Sequence, residues 1–506
     1  MGHHVENTTK NTQFVFDGKT KLFTFGLMAV GIICLVLTLL VGGEHNYARL
    51  WTNILHNGVF FTGISFAALF FICTHTLGWG GWHIIFRRVP EAMMMFMPIG
   101  VISLLLVAIA IAMDAPGTEL IYMWADEEVL ATDKLVQHKS ALLNPTAYFL
   151  TIVIVLVWTL FAVIIRKISI KQDSQNNPEE ATQSLYKIRF WGAIFLPIAG
   201  FSSAYVIWLW VMSIDTHWYS TLFAWYASVS WWVSAMSIML LLAAFLKSRG
   251  HLELFTREHL HDLGKYVFGF SVFWTYLWFS QFLLIWYANN GEETQYFYLR
   301  FEQFKPIFFL NIIVNFLVPF FALMMNSSKR TMGTVGFVAG LVILGHWLDF
   351  YQMIKPGVWY NIEHKAHAAH DHHDHKHGSI DNNFDGAKAQ FTYYTPDSIG
   401  AETTIAEDTH HSQVPGVEGE ETQHVTTTEH THTADVHGHE EAHGHGNAHA
   451  HGPAFETGFH FPGILELGTM VGFLGLFLFV TLSFLSKAAI YPKNDPFLGE
   501  SEHHHV

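Results

Sequence analysis

Cysteine is nearly absent from this chain. Only Cys34 and Cys73 occur among 506 residues, and no CxxC is present. That excludes cysteine-ligated iron–sulfur clusters and c-type haem attachment in this chain. Charge is scarce as well: 14% of residues are charged, against 51% hydrophobic residues and 44 phenylalanines, a balance that soluble domains rarely show. The 27 basic residues are outnumbered by 42 acids, so the formal charge of −15 repels polyanions and argues against a nucleic-acid partner.

Long apolar runs take the place of charge. Ten stretches stand out, at 21–42, 51–77, 95–113, 146–165, 190–212, 220–246, 266–288, 306–325, 332–350 and 463–486. Each is long enough to cross a hydrocarbon layer of about 30 Å as a helix. The fold class expected is therefore an all-α integral membrane protein with ten transmembrane helices. Both cysteines fall inside these runs and read as small buried apolar side chains. Of the 27 Lys and Arg residues, 18 lie in the N-terminus, every second loop and the C-terminus, and nine lie on the other side. By the positive-inside rule, residues 1–20 and the tail 487–506 are cytoplasmic. The first run is longer than a signal-peptide core and reads as a retained helix.

The first nine helices occupy 21–350, a long extracytoplasmic segment spans 351–462, and helix ten covers 463–486. Asn144-Pro145 is a helix start, with Asn as the cap and Pro in the first turn. Pro98, Pro197 and Pro319 fall inside helices three, five and eight and are expected to kink them. Pro197, with Gly200 and Ser202-Ser203, reads as an interruption of helix five. Residues 365–457 hold 17 His, 16 acids and three Lys. That composition is expected to be largely disordered, with 390–396 as a strand that could dock on a partner. The His spacing there is irregular and specifies no metal site.

Ionisable groups inside a membrane are costly, so each is expected to have a partner or a task. One side carries His56, Asp114, Asp215, His217, His346, Asp349 and Glu466. The other carries His75, Arg87, Arg88 and Glu91. Between them lie only neutral polar groups: Thr62, Ser65, Ser203, Tyr205, Ser234, Gln281 and Asn315. This distribution suits two polar half-channels for protons, with helix–helix hydrogen bonding as the plainer alternative. Asp349, one turn after His346, is expected to form an outer proton-exchange site with them and Glu466. Arg87, Arg88 and Glu91 are expected to organise the inner face, the arginines meeting helix-end carbonyls.

Three runs carry a family resemblance: Trp82-His83-Ile84-Ile85-Phe86-Arg87-Arg88-Val89-Pro90-Glu91-Ala92-Met93, Leu143-Asn144-Pro145-Thr146 and Trp278-Phe279-Ser280-Gln281-Phe282. They resemble the F subunit of bacterial alternative complex III, a quinol:cytochrome c (or quinol:oxidase) oxidoreductase, within the polysulfide-reductase C-type, NrfD-like membrane subunits. The resemblance covers most of 20–350 and 460–490. It implies eight of ten helices arranged as two four-helix bundles in a bacterial inner membrane. It also implies partners: a paralogous NrfD-like membrane subunit that holds the main quinol site, an iron–sulfur subunit, multihaem cytochrome c subunits and a terminal oxidase. This chain itself would carry no cofactor and no catalytic centre, and would contribute scaffold and a proton pathway.

Two other readings stay open. The chain could bind quinol itself, in an aromatic pocket near His56, Asp349 and Trp218. Alternatively, it could be a metal or solute transporter with a His-rich collecting loop. The absence of a clear internal repeat weighs against the latter.

Overall fold

The computed structural model describes residues 13–41, 43, 45–374 and 456–505, with backbone alone over 366–374. The core of the His-rich segment, including 390–396, lies outside the described residues. The ten apolar runs form ten helices long enough to span a membrane: α1 (Gly18–Val41), α2 (Asn46–Leu77), α3 (Ile84–Ala112), α4 (Pro145–Gln172), α5 (Pro178–Ile214), α6 (Thr221–Ser248), α7 (Arg257–Ala288), α8 (Lys305–Leu323), α9 (Met332–Asp374) and α10 (Ile464–Leu485). Among the described residues only two isolated β-bridges interrupt this all-helical pattern. One of them joins Gln13 to Ala489, so the segments flanking α1 and α10 lie together at one end of the bundle.

Helix α2 is the central post, buried over most of its length by α3, α5 and α6. Helix α4 packs on α3 and α5, and α7 on α6 and α8. Helix α1 lies against α10, where Gly31 meets Gly472. A Cβ on Gly31 would stand 2.4 Å from the Gly472 Cα, so the backbones approach as closely as glycine permits.

Asn144 caps α4 as expected, its Oδ1 accepting from the Ala147 N–H at 3.0 Å with Pro145 following. The prolines behave differently from one another. Pro98 and Pro319 each start a new helical segment, where the missing N–H leaves no bond unmade. Pro319 directly follows a π-helical turn, Ile313–Leu317, that presents Asn315. Pro197 sits inside an unbroken helix, and Ser202 four residues past Ile198 donates to the Ile198 carbonyl.

The largest departure from the expected boundaries is α9, which does not end at 350 but continues to Asp374. Lys355, Pro356 and Asn361 read as the start of a loop, yet all of Val358, Asn361 and Ile362 are buried. The loop after α3 covers this extension, and Asn361 donates to the Ile121 and Ile214 carbonyls. The chain also returns in an ordered turn, with the Tyr351 hydroxyl donating to the Phe459 carbonyl at 3.0 Å. Gly458 in that turn has φ +103°, and a Cβ there would strike Arg49.

Candidate functional site

Helix periodicity sorts the polar groups of α9 into two stripes. Trp347, Tyr351 and Lys355 recur every four residues on one side, while His346, Asp349 and Gln352 lie on the other. The first stripe faces α2 and α10, and the second faces α6, α7 and α8. The expected trio of His346, Asp349 and Glu466 is thereby divided by the body of α9.

Asp349 is fully buried. Its Oδ1 accepts from the Tyr226 hydroxyl. Its Oδ2 accepts from Ser230 Oγ at 2.7 Å and from Trp274 Nε1 at 3.0 Å. All three donors are neutral. His346 Nδ1 stands 4.0 Å from Oδ2, too far for a direct hydrogen bond, and its ring meets Trp274 edge-on. Ser234 extends the chain by donating to the Ser230 carbonyl at 2.8 Å.

A small cavity of about 10 Å³ adjoins Tyr226 and is lined by Gln281, Tyr296, Arg300 and Gln352 among others. That is room for about one water molecule. Beyond it, buried Arg300 stacks over Tyr296 and reaches Asp215 at 3.1 Å. Arg300 also solves a backbone problem. Pro356 has no N–H for the Gln352 carbonyl four residues earlier, and Arg300 Nε donates to that carbonyl at 3.2 Å. Burial pushes the Asp215 carboxyl above its ordinary range while Arg300 pulls it back. Asn311 donates to the Gln352 side chain, and Asn315 reaches Asn311 at 3.5 Å from the π turn. A polar track thus runs from Asp349 through Tyr226 and the cavity to Arg300 and Asp215, at the end away from the chain termini.

Glu466 has a different setting. Arg49 clamps it bidentately at 2.7 and 2.9 Å, Asn53 donates at 3.1 Å, and the Gly463 N–H donates at 2.9 Å. Both carboxylate oxygens are saturated, so Glu466 caps α10 and anchors it to α2. Lys355 lies nearby, fully buried, with its ammonium 5.0 Å from the Phe459 ring centroid and no hydrogen-bond acceptor among the described residues. His56 stacks on Trp347, and its Nε2 meets the Trp347 carbonyl at 3.0 Å.

The other expected members do not join the track. Asp114 is exposed in a left-handed turn after α3. His217 is exposed and pairs with Asp133 at 2.5 Å. Ser65 and Ser203 return hydrogen bonds to their own helices, and Tyr205 is half-buried against the core. His75 lies far along α2, bonded through Nε2 to the Tyr266 hydroxyl at 2.8 Å.

At the end that carries the termini, Arg87, Arg88 and Glu91 are buried inside the irregular start of α3 rather than exposed in a loop. Arg87 pairs with Glu91 at 3.0 Å and Asp495 at 2.8 Å, and Arg88 with Glu91 and Asp173, both at 2.5 Å. The main partners of these arginines are therefore carboxylates, with the Ser169 carbonyl a longer contact of Arg88 at 3.3 Å. Arg166 approaches Glu91 at 3.9 Å and donates to the Phe484 carbonyl. The cluster ties α3, α4, α10 and the C-terminal tail together.

Sequence reasoning missed Tyr226, Ser230, Trp274, Arg300, Arg49 and Lys355. One signal was readable: Tyr226, Ser230 and Ser234 recur every four residues along α6 and so share one face of that helix. No group of three or more His, Cys, Asp or Glu among the described residues forms a metal cage. No protein-family model and no curated protein matches the chain. The family resemblance therefore rests on the three quoted runs.

Proposed function

We propose that this chain is a membrane subunit of a quinol-oxidising respiratory complex, and that its own task is proton exchange at Asp349. The observation that carries the reading is the Asp349 pocket. A carboxylate fully inside a membrane bundle meets three neutral donors and no cation in direct contact, beside an imidazole whose ring nitrogens have no hydrogen-bond partner among the described residues. A structural carboxylate would be expected to have a cationic partner, as Glu466 has. Asp349, His346 and Tyr226, beside a cavity with room for about one water molecule, form a set that can take up and pass a proton. Arg300 and Asp215 give it an exit toward the far end.

On this reading the complex sits in a bacterial inner membrane with both chain termini cytoplasmic. The helices fall into two four-helix groups, α2–α5 and α6–α9. A paralogous membrane subunit, an iron–sulfur subunit and multihaem cytochromes c supply the redox chemistry. Two measurements test the proposal. Tagging the chain in its native membrane should co-purify haem c and iron–sulfur protein. In vesicles holding that complex, Asp349→Asn should lower proton release per electron by about tenfold with assembly retained. Unchanged proton release in an assembled variant overturns the role of Asp349. Purification without redox partners overturns the assignment to the complex.

A further inference from the structure

The end of the bundle that carries the termini holds a cavity far from the Asp349 track. It measures about 710 Å³, within the range of small-molecule sites, and lies between the start of α1, the end of α10 and the segment that precedes α1. Local contacts explain its shape. Gln13 bridges to Ala489, and its Nε2 donates to the Ser486 carbonyl at 2.8 Å, so the segment before α1 crosses the foot of α10. Buried Phe14 packs on Phe245 and His251 and fixes that crossing. Phe16 and Phe25 both meet Phe479, with ring centroids 5.7 and 5.0 Å apart.

The lining changes character along the helix axes. Lys21 opens α1, and Lys487 follows the end of α10. Phe25 lies one turn deeper than Lys21, and Phe479 one turn deeper than Ser483. Phe25 is exposed, as are Leu22 and Phe23 beside it, so this flank of α1 is left to lipid. Each ammonium rests over a ring, Lys21 over Phe16 at 5.4 Å and Lys487 over Phe484 at 4.4 Å. Neither forms an ion pair among the described residues, and no Asp or Glu among them lines the cavity. Asp17 turns away to cap α1, accepting from the Thr20 N–H at 3.1 Å. Ser483 contributes its carbonyl to Ser486 Oγ, while its own hydroxyl has no bond among the described residues.

We infer that this cavity binds an anionic phospholipid. The phosphate meets Lys21 and Lys487, with the Ser483 hydroxyl as a further donor, and an acyl chain runs inward along Phe25 and Phe479. A zwitterionic headgroup brings a cation for which the lining offers two ammoniums and no acid. A free phosphate ion leaves the aromatic wall uncovered. The inference concerns lipid recognition, and requires neither redox partners nor proton exchange at Asp349.

The test is native mass spectrometry of the purified full chain in a neutral detergent, titrated with dioleoyl phosphatidylglycerol, dioleoyl phosphatidylcholine or sodium phosphate. Phosphatidylglycerol should bind about tenfold more tightly than phosphatidylcholine, and equimolar sodium phosphate should not displace it. Lys21→Met and Lys487→Met should each weaken phosphatidylglycerol binding by about fivefold, the worth of one Lys beside an anionic headgroup, and together by about twentyfold. Both side chains are exposed, so the variants should fold. Lys19→Met removes the same charge from the same turn but lies outside the cavity, and should leave binding unchanged. Equal binding of the two lipids overturns the ligand class. Displacement by sodium phosphate makes the site one for soluble anions and overturns the lipid. A Lys19→Met loss as large as that of Lys21→Met shows diffuse attraction and overturns the site. None of these readouts uses proton release or partner subunits, so they hold or fail separately from the Asp349 assay.

Discussion

Two buried sites, the Glu91 cluster and the Asp349 pocket, hold their ionisable groups in opposite ways. At the end with the termini, Arg87, Arg88 and Glu91 are compensated by one another and by Asp173 and Asp495, with Arg166 close by. In the other half, Asp349 is held by a phenol, a hydroxyl and an indole. Paired opposite charges fix geometry, because moving either partner leaves the other stranded. A carboxylate among neutral donors can change protonation without stranding anything. The same residue type thus performs a structural task in one place and is free for a chemical one in the other.

The sharpest way to break that comparison is Glu91→Gln. It removes the acid shared by Arg87 and Arg88 and approached by Arg166. An uncompensated buried charge should cost about 3–5 kcal/mol, seen as a large fall in thermal stability in detergent and in membrane yield. A midpoint close to wild type would show that the cluster is not structural.

Lys355→Met probes the far end, beyond Asp349 and beside Glu466. The buried ammonium has no hydrogen-bond acceptor among the described residues, while Glu466 is already saturated by Arg49, Asn53 and Gly463. An apolar residue of similar length should be neutral or stabilising by about 1–2 kcal/mol in the same thermal assay. A clear loss would mean that Lys355 balances Glu466 after all.

Much of this division is readable in the sequence, and part is not. Ten apolar runs specify ten helices because no other use for such runs exists in a lipid layer. His346 and Asp349 share a face by their spacing of three, and the structure brings them together. Glu466 was misassigned because depth along the membrane is readable, whereas azimuth is not. Glu466 and Asp349 lie toward the same end, but α9 stands between their partners. Arg49 and Lys355 were overlooked for a related reason. Both sit where apolar runs fade, and only the covering loops and the extension of α9 make those positions interior.

Tyr226→Phe is a milder way to sharpen the contrast. It keeps the ring and removes the hydroxyl that joins Asp349 to the small cavity. Stability should fall by only about 1 kcal/mol, while proton release in reconstituted vesicles should slow by about tenfold. Equal effects on both readouts would reduce Asp349 to a helix-packing group like those at the opposite end.

The smallest effect should appear as a slope. Asp173 lies just past α4, partnered by Arg88 at 2.5 Å. Burial raises its carboxyl from the ordinary 3.8 to about 6, with Arg88 opposing and Glu91 adding to the rise. A folded pKa above the unfolded one means that the folded chain holds the proton longer. Stability present below about pH 4 is therefore lost as pH rises toward 6, the reverse of a salt-bridged carboxylate with a depressed pKa. Because Asp173 is 15% exposed, water screens part of this, and about 1 kcal/mol across the window is expected. Asp173→Asn removes the titration. Subtracting its melting profile from wild type between pH 4 and 7 isolates this group from the other acids. The difference should fall as pH rises, so the variant gains on wild type. A difference that rises instead would place Asp173 with the depressed, charge-locked carboxylates, and the end with the termini would hold no titrating group of its own.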